Sequence, residues 1–322
     1  GVAIITACLK RAGYHNIELF DATWYPVDKE DFSRPDRDKE RARRQMFPEY
    51  KWERDDVDPD FFTLEKEDMY SAWRKKVIEY KPDVIISSIV EDTYYIWRKF
   101  MNQITDQKFI SVVGGVFITY NPKIFIGKAD YICRGEGDEV IPELMDLISD
   151  GKDGHHLPNI YPNDMRPALN VNTLPPTDHE IFDKRSLYRP FQGKIIKVAT
   201  VETQRGCPFR CKFCNSPSNA GLYKEETDSL FFRHRSVEHI EMEIQHLIKT
   251  IDVEFLWIVT DTLLTTSKKK FDEFCDMYSK YKIPFFAQTR PELLSPHQAK
   301  RLVEIGCEKL NMGVEHGDPQ FR

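Results

Sequence analysis

A chain of 322 residues with 41% hydrophobic content has enough apolar material for two cores, and its length fits two domains. Its formal net charge of −6 leaves no basic footprint for nucleic acid. No apolar run approaches the roughly 18 residues of a membrane span, no signal peptide is visible, and seven cysteines, three of them clustered, indicate a reducing, cytoplasmic setting.

The chain opens in helical periodicity: Val2, Ile5, Leu9 and Ala12 recur on one face, and Gly13 suits a helix C-terminus. The apolar segment Ile17 to Phe20, closed by Asp21, reads as a strand. A helix and strand with no strand before them predict that the sequence is a fragment. From about 26 to 73 the composition turns to charge and aromatics, including Arg41, Arg43, Arg44, Glu53, Arg54, Asp55 and Asp56. Mixed-sign charge of this density reads as a solvated insertion. The interleaved Trp24, Tyr25, Phe47, Tyr50, Trp52, Phe61 and Phe62 offer the other reading, a cover for a ligand or partner surface.

Regular alternation then returns. Pro82 to Val90 predicts a buried parallel strand, Asp92 to Ile104 its helix, and Phe109 to Val113 a strand running into Gly114-Gly115. Ala129 to Cys133 predicts a strand running into Arg134-Gly135-Glu136-Gly137-Asp138, and Val140 to Ile148 the closing helix. Strands alternating with helices over 1–150 predict a Rossmann-like, doubly wound parallel α/β sheet with its ligand crevice at the strands' carboxyl ends. Ser88, Gly114, Gly115 and Gly135 fall there. A residue without a side chain lets the backbone approach a large flat or phosphorylated ligand; the plainer alternative is a tight turn.

Residues 151–190 are rich in Pro, Asn, Asp and His and read as a linker, with Pro158, Pro162, Pro167, Pro175 and Pro176 breaking regular structure. His155, His156 and His179, without carboxylate partners in the sequence pattern, read as solvated.

The second domain, 191–322, opens with a strand from Ile195 to Val201 that delivers Thr203-Gln204-Arg205-Gly206 and the cysteine loop. Helix Ser236 to Ile251, strand Val253 to Val259, helix Lys268 to Tyr281 and strand Pro284 to Gln288 follow. Ser295 and Pro296 then open a helix, and a last strand, Lys309 to Val314, leads to Glu315-His316-Gly317. Asp261, Arg290 and Glu315 fall just past three successive strands, where barrels place their chemistry.

Cys207, Cys211 and Cys214 lie in one loop, close enough for their sulfurs to converge on a metal centre or cluster. Closed zinc and cluster sites usually take four protein ligands, and the nearest other cysteines, Cys275 and Cys307, are far off. Three thiolates on a four-iron cubane leave one iron open to a small molecule. A zinc knuckle or a redox pair is the alternative. Cys8, Cys133, Cys275 and Cys307, beside apolar runs, read as small buried hydrophobes.

This CxxxCxxC loop, with Phe213 before its last cysteine, resembles the signature of the radical S-adenosylmethionine (SAM) enzymes. The resemblance implies a [4Fe-4S] cluster on Cys207, Cys211 and Cys214 that chelates SAM and cleaves it reductively to a 5′-deoxyadenosyl radical. It also implies a partial (β/α)6 TIM-like barrel, of which 191–322 matches the first four units and is incomplete at the C-terminus. Phe213, Asp261, Arg290 and Glu315 match positions that bind SAM in that family. Asp261-Thr262 stands where many cobalamin-linked members have paired aspartates, and His316 where a serine is usual. Arg290 matches an arginine expected to pair with a carboxylate.

Pro82-Asp83 before a strand ending at Ser88, Val113-Gly114-Gly115, and Ala129-Asp130-Tyr131 leading to Gly135-Glu136-Gly137-Asp138 resemble the cobalamin-binding domain that precedes many radical SAM cores. That resemblance implies cobalamin against Ser88, Gly114, Gly115 and Gly135. His15 does not match the cobalt-ligating histidine motif. The implied enzyme methylates an unactivated carbon or phosphorus, or assists radical ring closure, on a small-molecule or natural-product substrate. Its implied electron donor is a flavodoxin or ferredoxin. The alternatives are a radical SAM enzyme whose first domain is a scaffold without corrin, and a zinc-binding interaction module.

Overall fold

A computed structural model describes residues 1–26, 54–315 and 317–318. The part of the charged segment containing Arg41, Arg43, Arg44, Phe47, Tyr50, Trp52 and Glu53 lies outside the described residues, as does His316. The chain divides into two compact units, one of 1–166 with 181–186 and one of 167–180 with 187–322. Among the described residues no helix is long and apolar enough to cross a membrane.

In the first unit β1 (Val84–Ser88), β2 (Ile110–Gly114) and β3 (Tyr131–Ile132) form a parallel sheet in the order β1-β2-β3. Side chains alternate across a strand, and β2 and β3 bury residues on both faces. Val112 and Tyr131 pack in one cluster with Leu9 of helix α1 (Val2–Arg11), whereas Val113 and Ile132 pack in another with Ile89 and Trp97. Helices α2 (Met69–Tyr80), α3 (Tyr94–Asn102), α4 (Val116–Tyr120) and α5 (Val140–Ser149) complete the unit. Val140, Ile141 and Leu144 of α5 join the cluster around Leu9. Gly13 follows α1 with φ +100°, as its position after the apolar stripe predicts.

Three expectations change here. Ile17–Phe20 joins no strand, because its aromatic end serves side-chain packing: Phe20 stacks on Tyr25 at 5.5 Å and meets Trp73 and Phe100 edge-on. The strand expected over Ala129–Cys133 shrinks to Tyr131–Ile132. Asp130 replaces the missing ladder, its carboxylate accepting from Ser111 N–H at 2.8 Å and Ser111 Oγ at 2.7 Å. The segment taken for an insertion already contains the start of α2, capped by Asp68, whose side chain accepts from Ser71 N–H. Trp24 is 2% exposed and donates to Ser186 Oγ at 2.9 Å, with Arg185 over its ring. This tryptophan is therefore core.

The stretch read as a linker carries buried apolar residues. Prolines forbid a regular ladder but not burial, and Leu157, Ile160, Met165, Leu169, Val171 and Leu174 are all buried. Its last residues form β4 (Tyr188–Phe191), antiparallel to β5 (Lys194–Val201). His179 is buried between Thr177 Oγ1 at 3.1 Å and Thr200 Oγ1 at 3.3 Å, and desolvation holds its pKa below the ordinary value.

His155 has the carboxylate partner the pattern did not show, Asp153 at 2.5 Å, and its Nε2 meets the Asp130 carbonyl at 3.1 Å. The Asp153 hydrogen bond raises the His155 pKa. A raised pKa means this contact stabilises the fold fully below the unfolded value of about 6.5 and loses its contribution as pH rises through the folded value. In Asp153→Asn, an NMR titration of the His155 ring is expected to move down in pH toward the free-histidine value. An unmoved titration would show that the pair does not set the shift.

The second unit holds a five-stranded sheet in the order β10-β9-β8-β5-β4. Strands β5, β8 (Phe255–Ile258), β9 (Phe285–Thr289) and β10 (Cys307–Met312) are parallel. Beside them a short antiparallel pair joins β6 (Gln204–Arg205) to β7 (Arg233–His234). Helices α7 (Val237–Ile251), α8 (Lys268–Tyr278) and α9 (Pro296–Glu304) follow in alternation with the strands, and each begins at a serine. Ser236, Ser267 and Ser295 each accept from the backbone N–H three residues on, and Ser295 forms a capping box with Gln298. Ile244, Leu247, Leu256, Phe271, Phe285 and Ala287 fill the core between sheet and helices. The alternation and curled parallel sheet are those of a partial TIM-like barrel, as expected.

Helices α2 and α4 escaped the sequence reading, and so did α6 (Ser216–Thr227), directly after the cysteine loop. The signals of α6, Pro217 in the first turn and Asn215 before it, were legible, but the segment has no apolar stripe.

A buried polar network ties 167–180 to α7. Arg235 Nη2 pairs with Glu243 Oε2 at 3.0 Å, their side chains 5% and 1% exposed. Arg235 also donates to His239 Nδ1 at 2.8 Å and to the Glu202 carbonyl at 2.8 Å. Glu243 accepts from Thr177 N–H at 3.1 Å and from its hydroxyl. His239 Nε2 meets the Leu174 carbonyl at 2.7 Å.

Candidate active site

The root of the cysteine loop is fixed by close backbone approach. Gly206 has φ +81°, and a Cβ there would stand 2.9 Å from the Phe231 ring and 3.0 Å from the Phe231 carbonyl oxygen. Only glycine suits both the conformation and the space. Gln204, 3% exposed, donates to the Thr262 carbonyl at 3.1 Å and accepts from Thr265 Oγ1 at 2.9 Å. The loop is thereby tied to the segment after β8, the strand whose end carries Asp261.

Within the loop, Cys214 N–H bonds to the Cys211 carbonyl at 3.2 Å. Two of the thiols meet an N–H donor: Cys214 accepts from the Ser216 main chain at 3.4 Å and Cys211 from Arg290 Nη1 at 3.3 Å. Burial pushes the Cys207 thiol up, against the Phe209 hydrogen bond, and Asp261, Cys211 and Cys214 push the same way. Hydrogen bonds to sulfur stabilise thiolates, so this donor set fits an anionic-sulfur site. Among the described residues no three His, Cys, Asp or Glu side chains are gathered as ligands of a single metal ion would be. The convergence on one point expected of a single-ion centre is thus not found. A four-iron cluster has different needs, because each thiolate binds its own iron.

Asp261 and Arg290, separated by an entire strand–helix step, both reach this loop. Asp261 Oδ2 accepts from Ser216 Oγ at 2.9 Å. The Arg290 guanidinium lies 4.3 Å from the centre of the Phe209 ring and pairs with Glu292 at 3.5 Å. Its expected carboxylate role is thus met within the chain by Glu292, and its other contact is sulfur. Phe213 is 72% exposed, a large aromatic held out into solvent beside the last cysteine. Glu315 follows β10 in the left-handed region, φ +63°, and is exposed; no contact joins it to the cysteine loop among the described residues.

In the first unit Ser88 and Gly114 are paired neighbours at the carboxyl ends of β1 and β2. Gly115 has φ +110°, and a Cβ there would meet Ile89 O at 2.6 Å and Ile89 N at 2.9 Å. Close approach of its own chain therefore explains Gly115, where approach of a ligand was the expected reason. A Cβ on Gly114 would make only ordinary contact with Cys133, at 3.7 Å. Gly135, φ +68°, donates to Thr119 Oγ1 at 3.1 Å, and that hydroxyl bonds to the Gly115 carbonyl at 3.1 Å. Beside this rim Val90, Val116 and Tyr120 leave apolar surface exposed, at 45%, 38% and 39%.

Cys8, Cys133 and Cys275 are buried. Desolvation pushes the Cys133 and Cys275 thiols up to about 12, and the Cys307 thiol to about 11, which keeps them protonated and inert at neutral pH. Ser216, Gln204, Thr262 and Thr265 were not among the expected site residues. Only Ser216 had a local signal, its place beside Cys214 at a helix start.

Residues 201–322 match the Radical SAM superfamily, and this part of the chain is a radical SAM domain; the family implies SAM and a [4Fe-4S] cluster. The chain is 25% identical over 272 residues to an uncharacterized methyltransferase of Pyrococcus horikoshii, covering 78% of this chain and 56% of that one. It is 28% identical over 205 residues to the bacteriochlorophyllide d C-8(2)-methyltransferase of Chlorobaculum tepidum, covering 63% and 43%. The chain thus spans about half the length of these relatives. Its fold is similar to that of the radical S-adenosylmethionine methyltransferase TsrM from Kitasatospora setae, solved with tryptophan and a SAM analogue. That match has a TM-score of 0.57 at 16% identity and covers 79% of this chain and 52% of TsrM.

Proposed function

We propose that the chain is the cofactor-bearing part of a cobalamin-dependent radical SAM methyltransferase acting on a small-molecule substrate. The observation that carries the reading is the cysteine loop, three thiols at the carboxyl edge of a parallel sheet, two of them with N–H donors on sulfur. The methyltransferase relatives support the reaction type. When bound, the cluster and SAM supply a 5′-deoxyadenosyl radical and cobalamin supplies a transferable methyl group; such chemistry belongs to the cofactors.

The protein's own part is positioning. Cys207, Cys211 and Cys214 hold the three irons that have protein ligands. Asp261, oriented by Ser216, offers a carboxylate beside the loop to the amino group of SAM. Phe213, exposed next to Cys214, would be available to bound SAM. In the first unit the rim formed by Ser88, Gly114, Gly115 and Gly135, flanked by Val90, Val116 and Tyr120, seats the corrin. A large, partly apolar macrocycle suits this exposed apolar border. Glu315 is assigned to the ribose and methionine portion of SAM. The electron comes from a low-potential donor of the flavodoxin or ferredoxin kind.

The test is the iron, zinc and cobalt content of the protein purified without oxygen and supplied with cobalamin. About four irons per chain with one cobalt is the expected result. Iron without cobalt removes cobalamin from the reading and leaves the first unit a scaffold. Zinc alone overturns it entirely.

A further inference from the structure

We infer that Arg290 is a positioning residue for electron entry: by donating to Cys211 Sγ, its guanidinium raises the reduction potential of the cluster. The inference rests on the reading of Cys207, Cys211 and Cys214 as cluster ligands. Two N–H donors meet these sulfurs, and the one on Cys214 belongs to the main chain, from Ser216 at 3.4 Å. The donor on Cys211 is a side chain, reaching across 79 residues of sequence at 3.3 Å, and it carries a full positive charge. Main-chain donors are present whatever side chain follows them. Arg290 is the donor that a single substitution removes.

Cluster potentials respond to net charge, to hydrogen bonds on the sulfurs and to solvent exposure. One-electron reduction makes a cluster one unit more negative. A charged donor on a ligating sulfur therefore binds the reduced form more strongly than the oxidised form and favours reduction. The electron that enters comes from the low-potential donor and passes on to SAM, so none is created or stored by the arginine.

The geometry keeps the charge in place. Arg290 follows the last residue of β9 directly, so its main chain is held by the sheet. Its guanidinium is stacked on Phe209 at 4.3 Å, and Glu292 takes Nε at 3.5 Å, while Nη1 faces the sulfur. At 33% exposure the side chain is largely shielded from solvent, which limits screening of its charge.

The experiment compares the wild-type chain with Arg290→Met, Arg290→Lys and Phe209→Leu, each purified without oxygen. Iron is counted, and the cluster is titrated with dithionite and light-reduced deazaflavin under EPR, in the absence of SAM. All four proteins are expected to hold about four irons. At the wild-type midpoint, the ratio of reduced to oxidised cluster in Arg290→Met is expected to be at least tenfold lower, a shift of about 59 mV for a one-electron couple. Arg290→Lys, with its charge but not its planar fork, is expected to fall between. Phe209→Leu, which removes the stacking but leaves the guanidinium able to reach Cys211, is expected to shift clearly less than Arg290→Met.

Three outcomes overturn the inference: an unchanged midpoint in Arg290→Met, an equal shift in Phe209→Leu, or loss of iron from Arg290→Met, which makes the arginine part of the scaffold. A wild-type chain that shows no four-iron signal overturns the ligand reading beneath it instead.

Discussion

Replacing Cys211 by alanine is expected to reduce bound iron from about four per chain to near zero, with loss of the cluster's visible and EPR spectra. The reason is the supply of ligands. Among the described residues the other free thiols are built into apolar cores or lie away from this loop; Cys275, for example, is fully buried among Phe271, Phe274 and Tyr278. None can take the place of a thiol that is missing between Cys207 and Cys214. The first unit is expected to keep its fold, because its two main clusters, around Leu9 and around Ile89, draw only on residues before 166. Circular dichroism of the variant should therefore resemble that of the wild type while iron analysis does not. An intact four-iron spectrum in this variant would sink the ligand assignment and return attention to the remaining thiols.

The second large effect is expected at Arg235. Methionine there fills similar space but leaves Glu243, 1% exposed, as an uncompensated buried charge. Breaking a buried pair from one side costs about 3–5 kcal/mol, or a fall of roughly 6–20 °C in the melting of a unit this size. Arg235 also satisfies the Glu202 carbonyl and His239, so the loss spreads along the network. The double substitution Arg235→Met with Glu243→Leu is expected to cost clearly less than the two single substitutions added together. Thermal melts of the four proteins form a double-mutant cycle. Additive effects in that cycle would mean that the pair contributes nothing as a pair. This network carries no assigned chemistry, and its effect belongs to the positioning of 167–180 against the barrel helix.

Much of this fold was legible before any coordinates. Ser295-Pro296 predicted a helix start, and the structure adds a capping box between Ser295 and Gln298 there. Val2, Ile5 and Leu9 predicted the first helix, and Pro82 to Val90 a parallel strand beside Phe109 to Val113. Where the reading failed, a side chain had been diverted from the role its pattern suggested. Phe20 packs among aromatics, so Ile17–Phe20 is no strand. Asp130 takes ladder bonds that β3 would have made. Prolines between 151 and 190 broke regular structure as expected, yet Ile160 and Leu174 are buried, because burial requires apolar surface and not periodicity. Gly115 was legible as a special position but its cause was not: the atoms that crowd it belong to Ile89 on the neighbouring strand.

The sequence by itself determined many of the local facts: most strands of the second unit, where three helices begin, and that three thiols share one loop with an aromatic just before the last of them. Periodicity, capping and short spacings depend on residues a few positions apart, and these can be read along the chain. Only the tertiary structure decided what serves the thiols. Asp261 is held by Ser216 across 45 positions, and Arg290 reaches Cys211 across 79. Sequence separation carries no distance between residues that far apart; the parallel sheet does, by bringing the carboxyl ends of β5, β8 and β9 to one edge. For that reason Arg290, matched in the sequence to an arginine that pairs with a carboxylate, is found between Glu292 and the Cys211 sulfur.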